Sequence, residues 1–438
     1  LRRPGLKSAR SLVLDISPLR ESVSFRALWL GQIISLVGTQ MRIVAVPYQV
    51  FEITGSTVAV GLIGLAEVVP LIAFSLIGGS LADAIDRRRL MAIAQAVLLA
   101  DSVALAIVSL SDEPSLGAIY ALVGLGAAVE AIDKPARNAM IPSLVRTEKL
   151  AAAMALRQVV YQVTLIAGPA VGGLLIAVLD GRVAAVYLID GLTFVGGLIA
   201  LLWIPSISPQ PGEGGSSATG VRSVVEGLAF VCRTPLILSI FVVDFVAMIF
   251  GMPRAVFPEL AAETFDSGSA ALGLLYAAPA SGALVGALTT GWVSRVSRQG
   301  LAILASVTVW GGAIALAGLS LFSFSLTLLL LAVAGGADVV SAVFRGTILQ
   351  QQTPDSLRGR ANALNLMVVS GGPRLGDVEA GLMAGLVGAG PSVVIGGVAC
   401  LAGTGLVATA IPSLRAYRAP APDSERKDGV STTSQAVD

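Results

Sequence analysis

Residues 57–79 read TVAVGLIGLAEVVPLIAFSLIGG, and Glu67 is the single charge among them. A helix of about 20 apolar residues crosses the roughly 30 Å hydrocarbon core of a bilayer, so this run reads as a membrane span. Pro70 within it is no objection, because membrane helices tolerate proline. Working outward, comparable runs lie at 25–51, 90–110, 115–138, 150–178 and 183–204, then at 235–258, 270–292, 300–321, 323–348, 361–387 and 391–412. The chain is 55% hydrophobic and 13% charged, against about 25% charged residues in soluble proteins. The expected fold is an all-α membrane protein of twelve transmembrane helices in two six-helix bundles.

The expected organisation is a cytoplasmic segment 1–24, a first bundle 25–205, a linker 206–233, a second bundle 234–413 and a polar, disordered cytoplasmic tail 414–438. Residues 206–220 are rich in Pro, Gly and Ser, as flexible linkers are. Residues 221–232 look amphipathic and suit the membrane surface. Residues 1–24 lack the apolar core of a secretory signal peptide, so none is expected. Arg87, Arg88, Arg89, Arg146, Lys149, Arg295, Arg298, Arg358 and Arg360 fall in loops on the N-terminal side, whereas the opposite loops offer little beyond Arg182. The positive-inside rule then puts both termini in the cytoplasm. Basic residues are almost all Arg, and Ala, Gly and Val abound, which suggests a GC-rich bacterial genome and hence a bacterial plasma membrane.

Several functions are excluded. A net charge of +1 with scattered basic residues predicts no nucleic-acid partner. Two cysteines, Cys232 and Cys400, make no disulfide framework, and without histidine no Ser/His/Asp triad or usual metal site can be assembled. No G-x-x-x-x-G-K-[ST] loop is present to cradle ATP. The chain therefore reads as no enzyme, with no cofactor and no metal. Its expected partners are a small-molecule substrate, protons and the lipid bilayer, and it is expected to be monomeric.

The two halves repeat. At an offset of 212 residues Gly61-Leu62 meets Gly273-Leu274, Gly79 meets Gly291, and Arg42 meets Arg254. At an offset of 210, Ala151 and Ala153 fall on Ala361 and Ala363. Parallel six-helix repeats of this kind rock about a midplane cavity.

The loop Gly79-Ser80-Leu81-Ala82-Asp83-Ala84-Ile85-Asp86-Arg87-Arg88-Arg89 resembles the G-x-L-A-D-R-x-G-R-R signature of the major facilitator superfamily, with Ala84 and Asp86 departing from it. Gly168-Pro169-Ala170-Val171-Gly172-Gly173 is similar to the G-P-x-x-G-G motif of the superfamily's antiporters; Gly-Pro also suits a kinked, closely packed seam. Further runs, Asp133-Lys134-Pro135-Ala136-Arg137, Met252-Pro253-Arg254 and Gln352-Thr353-Pro354-Asp355-Ser356-Leu357-Arg358-Gly359-Arg360, look like the enterobactin-exporter branch. The resemblance covers nearly all of 25–412. It implies export driven by protons, with catecholate siderophores or assorted drugs as cargo. It also implies gating roles for Asp83, Arg87, Arg88, Gly168, Pro169, Gly172 and Arg360.

Nine acids fall inside the spans: Glu67, Asp101, Glu130, Asp133, Asp190, Asp244, Asp338, Asp377 and Glu379. Facing lipid unpaired they would cost on the order of 20–30 kcal/mol, so they must face a cavity or a partner. Glu130 with Lys134, Asp133 with Arg137, and Asp377 with Arg374 read as pairs along one helix. With no histidine, any proton carrier is a carboxylate; Glu67 and Asp101 lead, with Asp377 and Glu379 beside them. Arg42 and Arg254, each followed by a proline, read as a facing basic pair that would bind an anionic, catechol-rich solute, with Gln40 and Asp244 completing the substrate site. Each arginine could equally snorkel to the outer headgroups. The leading function is a proton-coupled exporter of a siderophore-like amphipathic molecule; the alternative is multidrug efflux of cationic or neutral compounds.

Overall fold

Short polar residues start the helices that the apolar runs continue. Ser22, Ser115 and Ser323 each accept a hydrogen bond from the backbone N–H three residues on, satisfying a donor that the first turn leaves free. Gly55, at φ 59°, ends the first long helix in the left-handed conformation that glycine adopts without strain. The computed structural model describes residues 15–206 and 221–419, excluding the side chains of 76–80, 82, 83, 221–224 and 294. The expected linker from 207 to 220 and the tail from 420 lie outside the described residues.

The first bundle comprises α1 (Val23–Thr54), α2 (Thr57–Ala84), α3 (Arg87–Ser109), α4 (Leu116–Leu144), α5 (Leu150–Val178) and α6 (Val183–Leu201). The second comprises α7 (Pro235–Phe250), α8 (Gly268–Thr289), α9 (Gln299–Leu319), α10 (Phe324–Gln352), α11 (Asp355–Val387) and α12 (Ala389–Ala410). In the first, α2 packs on α4, α4 on α3, α3 on α6, α6 on α1 and α1 on α5; in the second, α8, α10, α9, α12, α7 and α11 follow the same order. The repeat in sequence is thus a repeat in packing. Among the described residues eleven helices are long and apolar enough to cross a membrane. The twelfth, α11, runs 33 residues but carries Arg374, Asp377 and Glu379 in its second half.

Span seven departs from the expected single helix over 235–258. It stops at Phe250, and Gly251-Met252-Pro253 breaks it before a 3₁₀ turn Arg254–Val256, a short helix Phe257–Glu259 and a π turn Leu260–Thr264. Proline at 253 has no N–H to continue the ladder. The polar groups released by the break find partners: Trp310 Nε1 donates to the Gly251 carbonyl at 2.8 Å, and the Tyr276 hydroxyl donates to the Arg254 carbonyl at 3.2 Å. Such compensation is what allows irregular backbone at membrane depth.

The surface helix Val221–Arg233 appears within the expected linker, tied by Glu226 to Arg360 at 2.8 Å. The start of the expected tail is part of the second bundle instead. Pro412–Ala416 is helical, Leu414 is fully buried, and the Ala419 N–H donates to the Ser297 carbonyl. An apolar leucine at the helix end explains the docking.

The bundles meet through two seams, α2 with α11 and α5 with α8. Both seams are built on small residues at the ends of these helices remote from the chain termini. A Cβ on Gly61 would stand 2.7 Å from the Asp377 carbonyl oxygen, and one on Gly273 would stand 2.6 Å from that of Pro169. Continuing the α5 stripe from Pro169 in helical steps leads to Gln162, Gln158, Ala155 and Ala151, and the last three are exposed. The matching α8 stripe ends in exposed Ala287, with exposed Gly291 in the turn that follows, and that of α11 in exposed Leu366, Ala363 and Gly359. The halves are sealed at one end and parted at the other.

Candidate functional site

Among the described residues, three groups of internal charges join different helices. In the first bundle, Arg42 on α1 reaches Asp101 on α3 at 2.6 Å, with the Asp101 side chain wholly buried. The guanidinium has room because α4 presents Gly126, whose missing Cβ would stand 2.6 Å from Arg42 Nη2. Asp190 on α6 accepts from Ser102 Oγ at 2.7 Å, and Arg42 also feels the charges of Asp190, Glu130 and Glu67. A neutral chain extends the cluster outward: Tyr187 donates to Gln49 Oε1 at 2.9 Å, and Gln49 Nε2 donates to Ser109 at 2.8 Å.

The second group lies across the seam. Arg374 on α11 donates from Nε to Glu67 on α2 at 2.6 Å, joining the two bundles, and its Nη1 donates to the Ser370 carbonyl at 2.5 Å. One turn along α11, Asp377 takes Arg254 at 3.0 Å. Lys134 holds Glu130 at 2.8 Å on α4, close enough that both feel Arg374. The third group is in the second bundle, where Arg345 on α10 lies 2.8 Å from Asp244 on α7 and 3.6 Å from Asp338 on its own helix.

The sequence-based assignments fare unevenly. The Glu130–Lys134 and Asp133–Arg137 pairs form as spaced, at 2.8 Å each. The Asp377–Arg374 pair does not: Arg374 crosses to Glu67 of the first bundle, and Asp377 turns to Arg254 on the broken seventh span of its own bundle. Arg42 and Arg254 are not two free cations, since each already holds a carboxylate. Arg42 is sealed in its bundle at 8% exposure, whereas the Arg254 side chain retains 30%. Gln40 is buried against Gly168 in the α1–α5 contact, and Gly172 abuts Met41 there. The Gly168-Pro169 motif is therefore a seam on two sides, with α1 and with α8. Glu379 is half-buried, and no ion pair joins it among the described residues.

Of the residues expected to gate, Arg87 donates from Nη1 to the Ala139 carbonyl at 3.0 Å, bracing α3 on α4, and Arg360 holds the surface helix. Arg88 is half-exposed near the start of α3. The side chain of Asp83 lies outside the described part of the structure. Arg345 is the internal charge that sequence reasoning missed. Its signal was the spacing from Asp338: seven residues is two turns, which places both on one face of a helix.

A separate apolar groove of about 510 Å³ lies within the first bundle, between α3 and α4, with Ala100, Asp101 and Leu122 among its lining residues. It does not lie between the halves. No His, Cys, Asp or Glu group that could hold a metal ion exists among the described residues.

Residues 14–430 match a family model described as a transmembrane secretion effector. The enterobactin exporter EntS of Shigella boydii serotype 18 is 33% identical over 355 residues, covering 81% of this chain and 84% of that protein. EntS of Escherichia coli O81 is 32% identical over the same shares. Among solved structures, a mutant of the nucleoside transporter NupG superposes with a TM-score of 0.74 at 10% identity, covering 88% of this chain and 99% of that one. A bacterial homologue of the human lysosomal transporter Spinster, inward-facing and unoccupied, gives 0.71 at 15% identity, with 95% and 100% covered. At such identities the structural likeness speaks for the fold alone.

Proposed function

Because the chain belongs to the transmembrane secretion effector family of major facilitator transporters, we propose that it exports a siderophore-like amphipathic molecule in exchange for protons. It is a multi-pass membrane transporter and not an enzyme. The observation that carries the proposal is the one-ended seal: bundles clasped at α2–α11 and α5–α8 and parted at the end bearing the termini. With both termini cytoplasmic, the clasped end is the outer gate and this form is open to the cytoplasm of a bacterial plasma membrane, where cargo would be loaded. Rocking the bundles about the seams would expose the same site outside.

The class of cargo is supported by the exporter relatives and by Arg254. Its guanidinium is partly exposed beside the seam, and a catechol or other anionic oxygen pair can take the place of Asp377 on it. Displacing Asp377 would weaken the wall against Glu67 and Arg374, linking loading to opening. Moving one charge through 100 mV supplies about 2.3 kcal/mol, or roughly fortyfold concentration per charge coupled. The internal carboxylates are the groups that can carry such protons, and Glu67, set on the seam itself, is placed to feel the gate.

Everted vesicles test this reading with enterobactin as the probe. Arg254→Gln is expected to weaken transport about tenfold, mostly through KM, as the loss of about 1.4 kcal/mol of cargo binding would. Collapsing the pH gradient is expected to abolish accumulation in the unaltered protein. Efflux of cationic drugs with no effect on enterobactin would replace the proposed cargo by the multidrug alternative.

A further inference from the structure

The second bundle encloses one acid more than its base can neutralise. Arg345 and Asp244 are buried, at 6% and 3% side-chain exposure, and stand 2.8 Å apart as a direct ion pair. Arg345 Nη1 is also held, donating to Ser341 Oγ at 2.8 Å. Asp338 shares the same guanidinium only from 3.6 Å, and Oδ1 of neither acid receives a hydrogen bond, so one guanidinium serves two carboxylates. The Asp338 side chain keeps 22% exposure, so it is the member of the cluster that open space can reach.

Among the described residues no other charge balances it. The helices packed on α10 are α8 and α9, whose sequences hold no acid or base, and α7, which brings Asp244. The turn Thr290–Arg295 packs there too, and its Arg295 is exposed. Arg345 and Asp244 are the charges that act on Asp338. An unpaired anion at this depth is unfavourable unless it is neutralised, and a proton is the neutralising cation that needs no room.

We propose that Asp338 carries the transported proton, with Arg345 and Asp244 as the pair that its charge perturbs. This rests on the antiport reading above and names the residue within it. The other internal acids suit the task less well. Asp101 is in direct contact with Arg42 at 2.6 Å, Glu67 with Arg374 and Asp377 with Arg254. Asp190 has no exposure at all. Glu379 has no ion pair among the described residues, so a proton on it would alter none there.

The helices that carry the cluster pack on a helix of each seam. Asp338 lies on α10, which packs on the gate helix α8 through Gly335, Gly336 and Gly282, and Asp244 lies on α7, which packs on the gate helix α11. Anionic Asp338 pulls Arg345 away from Asp244 and so weakens the α7–α10 tie; a proton from the outer water restores it. The proton leaves to the cytoplasmic water when the cavity faces inward, one proton entering the cell for each cargo molecule that leaves.

The full-length protein in liposomes, with enterobactin as probe, decides the matter through two readouts. A gradient of about one pH unit is worth about tenfold accumulation for one proton exchanged. Asp338→Asn is expected to lose that tenfold, to the level without a gradient, while cargo exchange at zero gradient stays within about twofold of the unaltered protein. Asp338→Asn that accumulates as the unaltered protein does, or that loses exchange, overturns the assignment while leaving antiport standing. Should Asp338→Asn not survive purification, Asp338→Glu carries the test: it is expected to accumulate cargo with a shifted pH midpoint, and an unshifted one overturns the assignment. An unaltered protein whose accumulation ignores the gradient overturns the antiport reading and this residue with it.

Discussion

Arg42→Met is expected to destabilise the purified transporter by about 3–5 kcal/mol, the penalty for stranding a buried charge by removing its partner. The stranded group is Asp101, whose side chain has no solvent exposure and whose other oxygen, Oδ1, already lacks a hydrogen bond. Asp190, the second acid acting on Arg42, loses its counter-charge as well. Methionine is chosen because it keeps much of the side-chain volume beside Gly126, so packing is changed little. Adding Asp101→Asn to Arg42→Met is expected to recover most of the loss, because no anion then faces the gap; Asp190 keeps the recovery from being complete. Unfolding midpoints in detergent measure both effects. Equal stability of Arg42→Met and the unaltered protein would mean that the pair contributes nothing to the fold and that Arg42 is free to bind cargo.

The other large effect is expected from Gly61→Leu. Its Cβ would stand 2.7 Å from the Asp377 carbonyl oxygen and 3.1 Å from Gly381 Cα, both backbone atoms that cannot swing aside. Overpacking costs about 1–3 kcal/mol, and here the cost falls on the sealed form alone, which disfavours it roughly 5- to 150-fold. Transport should fall accordingly, since a gate that cannot close leaves the cycle incomplete. Spin labels at the exposed positions Val178 and Leu386, in the first and second bundles, should report a longer separation in Gly61→Leu. Gly312→Leu is the control, because nothing lies within 4 Å of a Cβ there. An unchanged distance distribution in Gly61→Leu would remove the α2–α11 seam from the gate.

Much of the architecture was legible because the membrane imposes it. Apolar runs and helix length gave both bundles, and the register between halves reappears as the same packing order in each. Local pairs were legible too: Lys134 lies four residues from Glu130, a distance that a helix turns into contact. The ion pairs that join different helices were not. Arg374 meets Glu67 across 307 residues of chain and Arg42 meets Asp101 across 59, and no periodicity records such meetings. Asp377 misled because its spacing from Arg374 permits a pair, whereas Arg254 on the broken seventh span takes it instead. The break after Phe250 was hidden for another reason: Gly251 and Pro253 are tolerated in membrane helices, so neither signals an interruption by itself.

The polar second half of α11 bears on how the chain is assembled in the first place. Arg374, Asp377 and Glu379 make this helix a poor candidate to leave a protein-conducting channel for lipid alone, since each charge there opposes partitioning by about 2.5–3.5 kcal/mol on insertion scales. The ion-pair partners of that second half, Glu67 and Arg254, are synthesised long before it. The earlier helices can therefore receive α11 as a preformed counter-surface, so that biogenesis runs in an order set by charge: the first bundle and the broken seventh span come first, and the helix that clasps them is admitted last but one.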